Sequence, residues 1–329
     1  MTNPHIRMGL QMPNFTFPGV TTDGLFEHVA SMATTAESSG FDSVWVMDHF
    51  YQLPMLGRPE QEMFECYSLL TALAARTSKV RLGAMVGGMT YRNPAFLAKT
   101  VTGLDVISGG RAIWGIGAGW FEQEHLGYGY DFGTFTDRFE KLEEGLQIVK
   151  SMFANDTTSF DGKWFTVRDA LNNPKPIQPG GPPVLIGGSG ERKTLRMVAQ
   201  YADACNVFGD AAAVARLMGI LDEHCARLGR NPKDICRTRL ATIAVGRTQE
   251  IAEELIAQRF GGTRPSDMPE EMRGRLEAMM IYGDADHVGE QVQALLDSGL
   301  DGLVFNMPNA HDLDAIALAG EILTPILNR

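Results

Sequence analysis

The chain has 329 residues, and its hydrophobic share of 44% is ordinary for a globular protein. Its formal net charge of −11 argues against a nucleic-acid binder, because such proteins normally carry a basic face. No apolar run approaches the roughly 18 residues of a membrane span, and residues 1–7 lack the apolar core of a signal peptide. We therefore expect a cytoplasmic protein with neither a nucleic-acid nor a membrane partner.

Short apolar segments typical of strands alternate with amphipathic helical segments along most of the chain. The predicted strands cover 6–11, 43–46, 80–86, 111–116, 184–186, 204–207, 238–245 and 302–306. The predicted helices cover 23–39, 67–76, 94–107, 138–153, 191–201, 211–228, a segment from 250, 286–298 and 313–327. Eight strand–helix pairs in this order predict an α/β protein with a closed parallel (β/α)8 TIM barrel. An open, doubly wound sheet is the alternative.

Two segments interrupt this alternation. In the first, near 155–183, the apolar run 164–167 follows Asp161 and Gly162, which predicts a small hairpin. The second lies near 261–283, where the polar, irregular stretch 261–269 predicts a mobile loop. Since no long linker or low-complexity tract divides the chain, we expect one barrel domain over 1–329 with two insertions.

The end of the second predicted strand carries a histidine, His49, with Asp48 before it and Phe50 after it. Side chains at the carboxyl ends of barrel strands reach the mouth, where function is concentrated. A histidine there can donate a hydrogen bond or a proton to a bound ring, and a neighbouring carboxylate can tune it. A histidine packed beneath a loop is the structural alternative.

Small residues follow two other predicted strands. After the third strand, the glycine-rich segment 85–90 would let a planar ring lie against the backbone, although a simple glycine turn has the same composition. After the fifth strand, 187–193 combines glycines, a serine hydroxyl and the start of a helix. Free backbone N–H groups at a helix start bind anions, so this segment predicts a phosphate site, with a glycine turn again as the alternative.

Other functional motifs are weaker. The run from Gly115 to Gly119 resembles a dinucleotide fingerprint, but Trp120 takes the place of a glycine and no helix is evident directly after it. Glu122 and His125 have the spacing of half a di-iron site, yet no second E-x-x-H is present. There is neither a G-x-S-x-G elbow nor an H-x-H pair. We therefore expect neither a Rossmann site nor a metal.

Taken together, these segments resemble the luciferase-like monooxygenase superfamily over nearly the whole chain. The most specific matching pieces are 44–50, 92–95, 115–122, 187–194, 201–204 and 299–302. Asp48-His49-Phe50 is similar to the branch that uses coenzyme F420, a deazaflavin hydride carrier. The resemblance implies a TIM barrel that binds F420, with FMN as the alternative cofactor.

The resemblance also implies roles for matching positions. Asp48 and His49 would flank the cofactor ring and act in catalysis. A non-proline cis peptide at Ala84–Met85 is implied as well. The remaining implied cofactor contacts are, behind the ring, Ala84, Met85, Val86 and Gly87; at the phosphate, Gly187, Gly188, Ser189, Gly190 and Glu191; and elsewhere, Asn93, Gln123 and Phe208.

One position departs from the sugar-phosphate dehydrogenases of this branch. Those enzymes carry a glutamate after the G-x-G-x-G turn, where this chain has Trp120. The lysine that they carry after strand six falls near Gly209 and Asp210 here. We therefore expect no phosphorylated sugar as substrate, and we expect an apolar or aromatic pocket that includes Phe50 and Trp120.

These observations predict an oxidoreductase that transfers a hydride between F420 and a small organic molecule. In such enzymes the protein supplies orientation and electrostatics, and the cofactor supplies the redox chemistry. A monooxygenase that uses reduced FMN is the alternative among enzymes, because it shares the barrel and the phosphate loop. A non-catalytic barrel that binds a flavin or deazaflavin is the alternative outside enzymes. We also expect a homodimer.

Overall fold

The computed structural model describes residues 3–259 and 261–327. Within them, eight parallel strands form the barrel, and eight helices that follow those strands lie around it. The barrel strands are β1 (Met8–Met12), β2 (Ser43–Val46), β3 (Arg81–Ala84), β4 (Ala112–Gly117), β5 (Val184–Gly187), β6 (Ala204–Val207), β7 (Cys236–Val245) and β8 (Gly302–Asn306). The surrounding helices are α1 (Thr22–Ser38), α2 (Cys66–Arg76), α3 (Pro94–Ser108), α4 (Phe135–Ala154), α5 (Thr194–Tyr201), α6 (Ala211–Leu228), α7 (Ala285–Asp297) and α8 (Leu313–Leu327).

Strand pairing closes the sheet on itself. β1 pairs in parallel with β2 on one side and with β8 on the other, so that Leu10 lies opposite both Val44 and Phe305. β7 completes the ring by pairing with β6 and with β8. This closure confirms the predicted (β/α)8 barrel and excludes the open, doubly wound sheet.

The barrel interior is filled around the indole of Trp45, which is fully buried. A Cβ atom placed on Gly9 would lie 2.7 Å from Nε1 of Trp45, and one placed on Gly83 would lie 2.6 Å from its Cζ3. Ile113 and Leu185 complete this inner cluster. The strands bury their other faces against the helices, and this outer layer forms the main hydrophobic core.

The first insertion contains the predicted hairpin, with antiparallel strands at Thr157–Asp161 and Thr166–Leu171. The chain that returns from it to β5 is bound to α3 by the buried carboxylate of Asp105. Oδ2 of Asp105 accepts the backbone N–H groups of Ile177 (2.7 Å) and Gln178 (3.1 Å), and Oδ1 accepts Nε2 of Gln178 (2.7 Å).

The second insertion is more ordered than the predicted loop. It contains a 3-10 turn at Pro265–Asp267, the helix Glu270–Met279 and a strand, Met280–Gly283, that pairs with the end of β7, and the predicted helix from 250 precedes it as Gln249–Arg259. Its apolar side chains Met268, Leu276, Met280 and Tyr282 form a small cluster with Ala244 of β7 and Ile256 of the preceding helix. Those contacts join separate segments, so local periodicity did not reveal them.

Several predicted element boundaries were also wrong. β3 ends at Ala84 and not at 86, because the chain turns into the barrel there. α5 begins at Thr194 and not at 191, since the three residues before it form a turn. α4 begins earlier than predicted, because Thr134 and Asp137 form a capping box. The described helices include none that is long and apolar enough to cross a membrane.

We expect Asp105→Ala to destabilise the barrel by about 2 kcal/mol, because the N–H groups of Ile177 and Gln178 would lose their acceptor. Urea unfolding followed by far-UV circular dichroism measures this. Asp161→Ala is the control, because Asp161 is an exposed hairpin residue and such changes usually stay within about 0.5 kcal/mol. Equal midpoints for the two variants would contradict the anchoring role of Asp105.

Candidate active site

The floor of the barrel mouth is the chain that follows β3. The amide of Met85 still donates to the carbonyl of Val46 (2.8 Å), and the Met85 carbonyl accepts Nε2 of Gln11 from β1, two strands away (3.3 Å). The non-proline cis peptide is Met85–Val86. The expected position, Ala84–Met85, was therefore wrong by one residue, because pairing with β2 continues through the Met85 amide.

The Val86 side chain lies against the ends of β4 and β5. A Cβ atom on Gly187 would lie 2.8 Å from Cγ1 of Val86, and one on Gly117 would lie 3.0 Å from its Cγ2. A Cβ atom on Gly115 would lie 1.9 Å from the carbonyl oxygen of Ala84. Close packing of neighbouring strands thus explains the glycine run of β4, and an apolar surface covers the barrel interior.

His49 lies at the end of β2, beside this floor. Its Nδ1 is 2.6 Å from Oε1 of Glu124, and its side chain is 12% exposed. Its ring meets Trp120 and Phe121 edge-on, with centroids 5.7 and 6.0 Å away. Among the described residues, none forms a hydrogen bond with Nε2 of His49. The second ring nitrogen is therefore available for a ligand.

The buried partner of His49, Glu124, was missed by the sequence analysis. It lies on a six-residue helix, Glu122–Gly127, that had not been predicted. Besides His49, its carboxylate accepts the hydroxyl of Tyr91 and the backbone N–H of Phe50 (2.8 Å). Burial raises the pKa of the Glu124 carboxyl, but the hydrogen bonds from His49 and Tyr91 outweigh it and hold the pKa below its ordinary value.

Asp48, expected beside His49 as its tuning carboxylate, forms its hydrogen bonds with other groups. Its two oxygens bind the guanidinium of Arg92 at 2.6 and 2.8 Å, and Oδ2 also accepts the N–H of Gly88 (3.0 Å). Arg92 in turn binds Glu65 (2.6 Å). The Asp48 carboxylate thus ties the end of β2 to the segment after β3, and the carboxylate that contacts His49 is that of Glu124.

The predicted phosphate segment lies between β5 and α5. Gly188 has a φ of +125°, a conformation that favours glycine, and its amide donates to the carbonyl of Asn206 (2.9 Å). The six amides of 189–194 donate to no acceptor within the described residues. Oγ of Ser189 accepts the N–H of Phe208 (2.9 Å), so this hydroxyl joins the loops after β5 and β6. A row of unpaired backbone N–H groups suits an anion.

The other expected contacts are less central. The Glu191 side chain points to α6, where it pairs with Arg216 (2.5 Å), so only its backbone N–H could serve the anion. Asn93 caps α3 by accepting the N–H groups of the two residues after Pro94. Gln123 is exposed, and Phe208 is 54% exposed. The structure thus brings together His49, 85–87 and 187–194, and it gives Asn93 a capping role.

Aromatic side chains surround the mouth near His49. Trp120 is 56% exposed and stacks on Phe121, with centroids 5.3 Å apart. Phe50 packs against Tyr91 (4.8 Å) and Tyr128 (4.4 Å). These rings form an apolar rim beside Nε2 of His49, and such a rim suits a flat or apolar substrate.

His125, the residue with metal-ligand spacing to Glu122, has both nitrogens engaged. Nδ1 lies 2.7 Å from the carbonyl oxygen of Phe121, and Nε2 lies 2.7 Å from Oγ1 of Thr90. Burial lowers the pKa of His125, which favours the neutral ring. Within 3–259 and 261–327, no three histidine, cysteine or acidic side chains are grouped as metal ligands.

Comparison with known proteins places this geometry in a family. An F420-dependent glucose-6-phosphate dehydrogenase from Amycolatopsis mediterranei is 29% identical over 303 residues, covering 85% of this chain and 88% of that enzyme. Two solved structures have the same fold at low identity. One is the F420-dependent tetrahydromethanopterin reductase of Methanopyrus kandleri (TM-score 0.79, 20% identity, 98% of this chain and 99% of that one).

The other is a type II Baeyer–Villiger monooxygenase from Pseudomonas putida in complex with FMN (TM-score 0.76, 19% identity, 97% of this chain and 98% of that one). At these identities the two structures support the fold alone. The family model for luciferase-like monooxygenases matches residues 6–304. The chain belongs to the luciferase-like monooxygenase family.

Proposed function

We propose that this protein transfers a hydride between coenzyme F420 and a small apolar or aromatic organic substrate. The observation that carries the proposal is that two features lie on either side of Val86, in the chain segment after β3 that forms the floor of the mouth. On one side, His49 keeps a free Nε2 atom. On the other, six unpaired amides run from Ser189 to Thr194, the first residue of α5. The similarity to F420-dependent dehydrogenases such as the Amycolatopsis enzyme supports the choice of cofactor.

The residues at the mouth fit a flat ring with an anionic tail. The backbone N–H groups of 189–194 would hold the phosphate, and Val86 would support the ring from behind. Ala84, Met85 and Gly87 flank Val86 and shape this floor. When bound, the deazaflavin supplies the redox chemistry, since it exchanges a hydride and reacts poorly with oxygen.

His49 would handle the proton that accompanies the hydride. If the substrate is an alcohol, Nε2 of His49 would accept its O–H proton, and a bound deazaflavin would supply the hydride acceptor. In the reverse reaction, His49 would return the proton to the carbonyl oxygen. General acid–base help of this kind is worth about 10²–10⁴ in rate. The geometry requires only that the substrate oxygen lie within hydrogen-bond distance of Nε2.

The substrate class follows from the rim. Trp120 offers exposed aromatic surface next to His49 and is backed by the buried ring of Phe121, while Phe50 packs on Tyr91 at the same mouth. Trp120 also stands where the sugar-phosphate enzymes of this branch carry their acid. We therefore favour an apolar or aromatic molecule over the sugar phosphate for which the Amycolatopsis relative is named.

A monooxygenase that uses reduced FMN is the second candidate, since FMN is bound in the Pseudomonas putida neighbour. Fluorescence titration of the purified protein with F420 and, separately, with FMN tests the choice. We expect tighter binding of F420 and no oxygen consumption with reduced FMN. Tight FMN binding together with oxygen uptake and no F420 binding would contradict the F420 proposal and favour the monooxygenase.

Gly188→Ala should raise the Kd for F420 about tenfold to a hundredfold. A Cβ atom at a φ of +125° forces the loop to rearrange, and the N–H groups would then be misaligned with the phosphate. Gly180→Ala is the matched control, because Gly180 also has a positive φ, +80°, but lies in the first insertion with open space around it. Equal Kd values for the two variants would argue against a phosphate site in this loop.

His49→Ala should lower the turnover of reduced F420 with menadione, an aromatic quinone, by about 10²–10⁴ while changing the Kd for F420 far less. The quinone oxygen would lose its proton donor, whereas the phosphate contacts would remain. Stopped-flow absorbance at the deazaflavin band gives the rate. His5→Ala, an exposed histidine before β1, is the control. Normal turnover in His49→Ala would contradict the proton-transfer role.

A further inference from the structure

The buried Glu124 carboxylate accepts hydrogen bonds from two side chains as well as from the loop backbone after β2. Oε1 receives Nδ1 of His49 (2.6 Å) and the Tyr91 hydroxyl. Oε2 receives the backbone N–H groups of Phe50 (2.8 Å) and Tyr51 (3.4 Å). One buried side chain thus fixes both the backbone after β2 and the imidazole that the mechanism uses.

The protonation state of the Glu124 carboxyl determines which ring nitrogen of His49 carries the hydrogen. Hydrogen bonds hold the Glu124 pKa below its ordinary value, so the group is a carboxylate at neutral pH and can only accept. Burial and the Glu124 charge raise the pKa of Tyr91, so its hydroxyl stays protonated and donates. Nδ1 of His49 must therefore carry a proton, which leaves a lone pair on Nε2 in the neutral ring.

The surrounding charges leave His49 as the group that balances Glu124. Arg92 is the nearby cation of this cluster, but Asp48 and Glu65 both bind it. A proton taken up at Nε2 creates an imidazolium in contact with the Glu124 carboxylate. A buried carboxylate in such contact stabilises the imidazolium that forms during proton transfer.

We propose that Glu124 is a positioning residue that fixes His49 as the Nδ1–H tautomer, so that Nε2 is the atom that exchanges a proton with the substrate. The tautomer assignment is independent of the cofactor. Its meaning for catalysis rests on the proposed function.

Glu124→Gln separates this role from simple anchoring, because an amide offers one acceptor and one donor. The Phe50 N–H needs an acceptor at the Oε2 position, so the amide oxygen must lie there. The amide NH2 then faces His49 and donates to Nδ1, which forces the hydrogen onto Nε2. The isosteric variant should keep the loop and reverse the tautomer.

Long-range ¹H–¹⁵N correlation spectra of protein labelled with ¹⁵N-histidine measure this without cofactor or substrate. At pH 8 an ordinary imidazole is neutral, so its two tautomers give distinct cross-peak patterns. The His49 peaks are assigned by their absence in His49→Gln. We expect an Nδ1–H pattern in the wild type and an Nε2–H pattern in Glu124→Gln, with matching far-UV circular dichroism.

Two variants serve as controls. Glu122→Gln makes the same change on the same short helix at an exposed position, and it should leave the His49 pattern unchanged. Tyr91→Phe removes a donor from Glu124 but keeps the carboxylate, so the Nδ1–H pattern should persist. An Nε2–H pattern in the wild type, or an unchanged pattern in folded Glu124→Gln, would overturn the proposal.

Kinetics then test the consequence. With reduced F420 and menadione, Glu124→Gln should lower kcat about a hundredfold or more and change the Kd for F420 little, since the amide cannot stabilise the imidazolium whose Nε2–H gives the proton to the quinone. The two proposals fail separately. If Glu124→Gln reverses the tautomer but the protein does not bind F420, the role of Glu124 stands and the proposed cofactor is wrong. If the protein turns over F420 but Glu124→Gln leaves the tautomer unchanged, the cofactor stands and the role of Glu124 is wrong.

Discussion

The indole of Trp45 at the centre of the barrel is the constraint on which the rest of the site depends. It fits because Gly9 and Gly83 lack side chains where their strands face it. With the interior filled below, the chain after β3 crosses above the indole, and its carbonyl at Met85 accepts a hydrogen bond from Gln11 of β1, two strands away. The mouth therefore has a solid, apolar floor.

Two polar regions face each other over this floor, and both are held by contacts that do not involve a ligand. Asp48, through Arg92 and Gly88, joins the end of β2 to the floor segment. Ser189 joins the loop after β5 to the loop after β6. Since each region is braced by its neighbour, the spacing between His49 and the unpaired amides is a property of the barrel itself.

The sequence predicts the barrel and part of the site, because both leave local signals. Strand and helix periodicity recur eight times, and His49 and the glycines at 187–190 follow strand ends directly. Glu124 left no such signal. Its helix is only six residues long, and its partner His49 is 75 positions away, so the contact exists only after the barrel has closed. The strand Met280–Gly283 was missed for the same reason, since it depends on pairing with β7.

The amides before α5 have an evolutionary consequence. These N–H groups belong to the main chain, so most side-chain replacements in 189–194 leave them in place as long as the glycine conformation at 188 is kept. The rim is different, because Trp120 and Phe121 present side chains that mutation alters directly. A lineage built on this scaffold can therefore diversify in the side chains around the mouth while inheriting the unpaired amides of 189–194 almost unchanged.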